Sequence, residues 1–216
     1  MNRRMRFLSL TVVAVMLSVT ASLWASAHLV GSTTGSVDTI WFADGTDAGG
    51  RSHLTRTDGM AVGVIEAANL VPGDAHTIWW IVFNLPHNCT APGCGEDDIF
   101  NPDGTPNFVN IAAAGVAIGN ATGNVAKADG TAEFGGRLGM NDVGGSGHQI
   151  LIPAGGPLGP GVNELLNVSP HLAEFHFVVQ THGQARGGPK LLEQLAYNFA
   201  NCTPTCEDIQ AAVHLP

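Results

Sequence analysis

The chain is poor in positive charge. Of its 216 residues only 9 are Lys or Arg, against 18 Asp or Glu, and three of the nine (Arg3, Arg4 and Arg6) crowd into the first six positions. No Lys/Arg stripe follows them. Such a chain is repelled by phosphate backbones and anionic lipid surfaces, so nucleic acid is not an expected partner. Long apolar runs are also missing. The one sustained run, "FLSLTVVAVMLSVTA" at 7–21, is short for a bilayer span. There is no Gly-x-Ser-x-Gly elbow and no phosphate-cradling Gly-x-x-x-x-Gly-Lys, which removes the usual anchors of hydrolase and nucleotide readings.

What is present begins with a leader. A positive n-region, the apolar run and the small-x-small "ASA" at 25–27 read as a signal peptide over residues 1–27, with the mature chain starting at His28. The expected product is a single secreted domain, 28–216, without a stable membrane anchor after cleavage and either periplasmic or extracellular. Its 189 residues can bury a sizeable core. With the three leader arginines gone, six basic residues face eighteen acidic ones, a formal charge of −12, which favours solubility outside the cell.

Four cysteines remain, Cys89, Cys94, Cys202 and Cys206. In an oxidising compartment they read as disulfides. Their loops are alike: "NCTAPGCGEDDI" and "NCTPTCEDI" share Asn-Cys-Thr, a proline turn, a second Cys and Glu-Asp. Pro92, Gly93 and Pro204 bend each loop back on itself and favour the local pairs Cys89–Cys94 and Cys202–Cys206. Cross-pairing between the loops stays open, and a zinc site of four thiolates competes less well in an oxidising compartment.

Short segments rich in β-branched and aromatic residues alternate with Gly, Asp and Pro turns: "SVDTIWFA", "SHLTRT", "GMAVGVIEAANL", "HTIWWIVFN", "NFVNIAAAGVAIG", "GTAEFGGRL" and "AEFHFVVQTHG". The expectation is an all-β fold, an antiparallel β-sandwich or barrel with one short C-terminal helix. That helix is "PKLLEQLAYNF" at 189–199, with Leu192, Leu195 and Phe199 at helical spacing. "IPAGGPLGPGV" at 152–162 reads as a long surface loop. In "AEFHFVVQTHG", alternation puts Phe175, Phe177 and Val179 on one face and Glu174, His176, Val178, Gln180 and His182 on the other. The first face is core. The second is a wetted surface or a site. Trp79 and Trp80 likewise point to opposite faces, so one belongs to the core and the other, with Trp41, can offer contact surface.

Several elements occur together: the Pro72-Gly73 turn, the aromatic strand Trp79 to Asn84, the loop with Cys94 to Glu96, the strand Ala173 to Gly183, and the run Cys206 to His214. The combination resembles an uncharacterised family of secreted bacterial proteins and covers most of the mature chain. The resemblance implies export but carries no activity, substrate or cofactor. More loosely, a strand after the Leu70-to-Gly73 turn is similar to secreted β-sandwich modules of the chordin-repeat type, which bears on fold alone.

For chemistry, nine histidines supply candidates. Glu174 and His176, two apart on a strand, are spaced to share an ion or a hydrogen bond, and His76 and His214 are candidate cross-sheet partners for a metal. Residues His176 and His182 are too far apart to share an ion. A mature N-terminal His28 would pair its amine with its imidazole, a two-nitrogen chelate suited to copper. In "DDIFNPDG", Asp97, Asp98, Asn101 and Asp103 offer hard oxygen ligands for calcium, although the spacing departs from the EF-hand. The cofactor is left open, with a metal ion (copper, zinc or calcium) as its candidate. No catalytic set emerges. The leading expectation is a secreted, non-catalytic β-domain that binds a ligand or partner; the alternatives are a His/Glu metalloprotein and a structural envelope or matrix component.

Overall fold

The computed structural model describes residues 31–142, 149–152, 164–196 and 206–216. The expected leader and cleavage site, His28, Cys202 and all but the first residue of the expected 152–162 loop lie outside them. Among the described residues no helix is long and apolar enough to cross a membrane.

The described residues form nine strands: β1 (Thr33–Trp41), β2 (Asp47–Arg56), β3 (Met60–Ala67), β4 (Asp74–Phe83), β5 (Val116–Val125), β6 (Ala132–Gly139), β7 (Gln149–Ile152), β8 (Glu174–Gln184) and β9 (Glu207–His214). They form one sheet in the order β6-β3-β2-β1-β9-β8-β4-β5-β7, every pair antiparallel. The all-β expectation is met. The sheet curls until β6 approaches β5, where Asn124 Nδ2 donates to the Glu133 carbonyl at 2.8 Å. The result is a nearly closed barrel, which removes most of the exposed sheet edge.

Turn chemistry sets the connections. "DGT" occurs at 44–46, 103–105 and 129–131, and each time one Asp oxygen accepts from both the backbone N–H and the hydroxyl of the Thr. The intervening Gly45, Gly104 and Gly130 have φ of 70°, 79° and 77°, the left-handed region that glycine enters without strain.

The interior follows from alternation. Ala61, Gly63, Ile65 and Ala67 of β3 point inward, as do Trp80, Phe134, Phe175, Phe177 and Val179, all within one buried cluster. Phe175, Phe177 and Val179 are thus core, as expected. Trp80 meets Phe177 edge-on at 4.6 Å. The barrel end is tied by Arg56, whose guanidinium donates to the carbonyls of Pro170, His214 and Leu215 and lies over the Phe175 ring.

Three expectations need correction. The segment "NFVNIAAAGVAIG" is not one strand: its first half is a helix, Phe108–Ala114. Asn107 caps it by accepting from the Asn110 N–H, Gly115 ends it at φ 60°, and only then does β5 begin. An alanine run after an Asn cap favours helix more than its β-branched neighbours favour strand. The described residues therefore hold two short α-helices, not one. The second, Pro189–Leu195, is not held by the leucine face: Leu192 is 68% exposed, while Gln194 is buried and reaches from Arg186 N–H to the carbonyls of His182 and Gln184. Phe199 lies outside the described residues. Finally β9, not singled out as a strand, sits in the middle of the sheet between β1 and β8.

Candidate functional site

The opposite face of β4 and β8 is covered too. Between β4 and β5 the chain leaves the sheet for residues 84–115 and folds back over its outer side. Cys89 and Cys94 are bridged in this excursion, as the local pairing expects. Cys206 is also disulfide-bonded; its expected partner Cys202 is outside the described residues. Asp98, 1% exposed, accepts from the Thr90 and Gly95 N–H groups and closes the loop. The excursion buries its own cluster of Phe83, Cys94, Ile99, Ile111, Ala114 and Val116. Farther along the face the Pro189–Leu195 helix sits so close to β5 that a Cβ on Gly123 would lie 2.5 Å from the Leu195 carbonyl.

Between these covers a cleft of about 420 Å³ remains, within the range of small-molecule sites. Its floor is Trp79, Ile81, Ile118, Val178 and Ala211, and its walls include Phe42, Ile99 and Phe100. Four polar side chains join them: His176, Gln180, Asp208 and Glu96. Gln180 Nε2 donates to Asp208 Oδ1 at 2.9 Å. Asp208 is open on one side to solvent, yet the atoms packed around its carboxyl exclude enough water to raise its pKa, and Glu96 nearby pushes the same way. A larger hollow of about 610 Å³ lies on β2 and β3, but its charged rim, with Arg51 already paired to Asp38 at 3.1 Å, gives an apolar ligand little to bury against.

Glu174 and His176 meet: His176 Nε2 lies 2.6 Å from Glu174 Oε1, and the same oxygen accepts from the Cys94 N–H at 3.0 Å. An accepting carboxylate places a proton on Nε2. The buried carboxylate thus pins the disulfide loop to β8 and orients the one histidine that lines the cleft. Glu174→Ala should cost about 1–3 kcal/mol for each buried N–H left unpaired, measured as a lower urea midpoint with the slope unchanged.

The proposed metal partners are elsewhere. On the core side, His214 bonds Ser52 Oγ at 2.8 Å and stacks edge-on to Phe177. His76 shares the Ile78 and Trp80 side of β4, 1% exposed, with both ring nitrogens unpartnered. Neither joins Glu174 and His176, and among the described residues the only close ligand group is Cys89, Cys94 and Asp98, whose sulfurs are bonded to each other. His182 is committed to Thr77 Oγ1 at 2.8 Å and to the Cys206 sulfur at 3.1 Å. The calcium candidates do not converge: Asp98 holds its loop, Asp103 makes one of the three Asp-Gly-Thr turns, Asn101 donates to Thr105 and Pro106, and the Asp97 carbonyl accepts from Asn110.

Sequence reasoning pointed to Trp79 but missed Phe42, Ile99, Phe100, Asp208 and Ala211. A bulge explains part of this. Val179 pairs with Gln210 and Gln180 with Asp208, so Ile209 is an extra residue that brings Asp208 onto the side of Ala211. Strict alternation would separate them. No protein-family model matches this chain, and no curated protein or solved structure matches it.

Proposed function

We propose that this chain is an exported, non-catalytic β-domain that binds a small, mostly apolar ligand in the cleft between β4, β8, β9 and the 95–100 segment. One observation carries the reading: the outer face of a barrel whose core is already filled presents Trp79, Val178 and Ala211 as a further buried apolar cluster, roofed only in part by a disulfide-closed loop. An apolar outer face usually marks a partner or ligand surface, and a partly roofed cleft of this volume suits a small molecule better than a protein. The leader read in residues 1–27 and the Cys89–Cys94 bridge support export.

The test fills the hollow from its floor. Ala211→Trp places an indole in the cleft while leaving the barrel core untouched. Calorimetric titration with a neutral aromatic probe, 2-naphthylmethanol, should show binding to the wild type and a loss of about tenfold or more in the variant, the equivalent of about 1.4 kcal/mol, with both proteins melting cooperatively. Equal affinity in the two would remove the cleft as the site.

A further inference from the structure

The cleft's polar groups are of one kind. Among its described lining residues there is no Lys or Arg, while Glu96 and Asp208 are carboxylates, and His176 directs its Nε2 proton to Glu174. Gln180, 8% exposed, gives its amide N–H to Asp208 Oδ1. Only the nitrogen end can face a carboxylate, so this contact fixes the amide and leaves Asp208 Oδ2 with no hydrogen bond among the described residues. The apolar walls are aromatic on several sides, with Trp79, Phe42 and Phe100 around the hollow.

We propose that the occupant carries a cationic, hydrogen-bond-donating head on an apolar body: an ammonium group on an aromatic or alicyclic frame. Three features carry this, granted that the cleft is the ligand site proposed above. First, a positive head answers the two carboxylates, whose mutual repulsion it relieves. Second, an N–H donor completes the free oxygen of Asp208 with a charge-assisted hydrogen bond. Third, aromatic side chains beside a carboxylate suit both a cation and an apolar body. A carboxylate-bearing ligand of the same shape would meet Glu96 and Asp208 with like charge, and a neutral one would leave them as they are. The acidity also arises locally, from these two side chains, and does not rest on the net charge of the chain.

Three probes of one shape separate this inference from the reading beneath it: 2-naphthylmethylammonium, 2-naphthylmethanol and 2-naphthoate, titrated against the exported chain at neutral pH. The ammonium should bind tighter than the alcohol by about tenfold or more, the worth of one charge-assisted hydrogen bond, and the naphthoate weakest. Asp208→Asn keeps an acceptor for Gln180 and should cost the ammonium about tenfold, a loss well above that of the alcohol. Equal binding of ammonium and alcohol, or an ammonium affinity that Asp208→Asn does not lower, overturns the cationic head and leaves the cleft as a neutral apolar site. If none of the three binds, the cleft reading fails and the inference fails with it.

Discussion

Lowering the pH from 7 to 4 should strip about 3 kcal/mol of stability from this barrel through His76 and a similar amount through His214. Burial holds the pKa of each down to about 4, from an ordinary 6.5; the neighbouring His182 adds to the effect at His76, and Arg56, His53 and His176 add to it at His214. The sign follows from which state takes the proton. Above pH 6.5 both states are neutral at these residues and the stability is fully present. As the pH falls from 6.5 toward 4 the unfolded chain is protonated while the folded one resists, so stability is lost across that window and the loss levels off below it. Burial lowers His182 in the same direction. Asp208, raised by its surroundings, acts oppositely, but its exposure keeps that effect small. Total stability in domains of this size is about 5–15 kcal/mol, so the protein should be near its unfolding limit at pH 4. Urea midpoints at pH 7, 5.5 and 4 measure this. His76→Phe is the informative variant: the imidazole has no hydrogen bond to lose, so stability at pH 7 should hold or rise, while about half of the acid loss disappears. An acid dependence identical to that of the wild type would show that His76 is not the buried neutral group described.

Phe177→Ala should destabilise by about 3–5 kcal/mol. The ring lies at the centre of the core, 4.6 Å from Trp80 and 5.4 Å from His214 between ring centroids, and rests on the backbone of β3. A Cβ on Gly63 would lie 2.3 Å from the ring's Cζ, so Gly63→Ala alone should overpack the barrel and cost about 1–3 kcal/mol. With the ring removed, the added methyl has room. In the Phe177→Ala background the same Gly63→Ala change should therefore cost little or restore some stability, a coupling well above the few tenths expected of independent sites. Chemical denaturation of the four proteins in this cycle decides the matter; additive losses would mean that Phe177 does not sit on Gly63.

The second of these predictions comes from the part of the molecule most legible in its sequence. Phe175, Phe177 and Val179 declare an inward face by alternation, and the turn residues around them mark where strands end. The candidate site was legible only in part. Its floor follows from the same alternation, since Trp79 and Val178 stand opposite Trp80 and Phe177. What covers that floor is a matter of long-range folding: the 84–115 excursion returns over the sheet because Glu174, at the start of β8, holds the Cys94 N–H eighty residues earlier in the chain. The sequence marks Glu174 and His176 as a pair without distinguishing an ion from a shared hydrogen bond, and the close contact with Cys94 gives the carboxylate a structural task. His76 and His214 looked like partners because spacing does not tell which face a distant strand presents. Asp208 was hidden by the extra residue at Ile209, which no pattern of period two can carry.

The most direct test of the central claim is to map where a ligand settles. In an amide and methyl NMR titration of the labelled protein with 2-naphthylmethylammonium, the shifts should concentrate on Trp79, Val178, Ala211, Ile118 and the 95–100 segment, with saturation at one equivalent. Shifts concentrated instead around Asp38, Arg51, Glu66 and Lys127 on the polar hollow, or no saturable shifts at all, would contradict the cleft as the functional site of this protein.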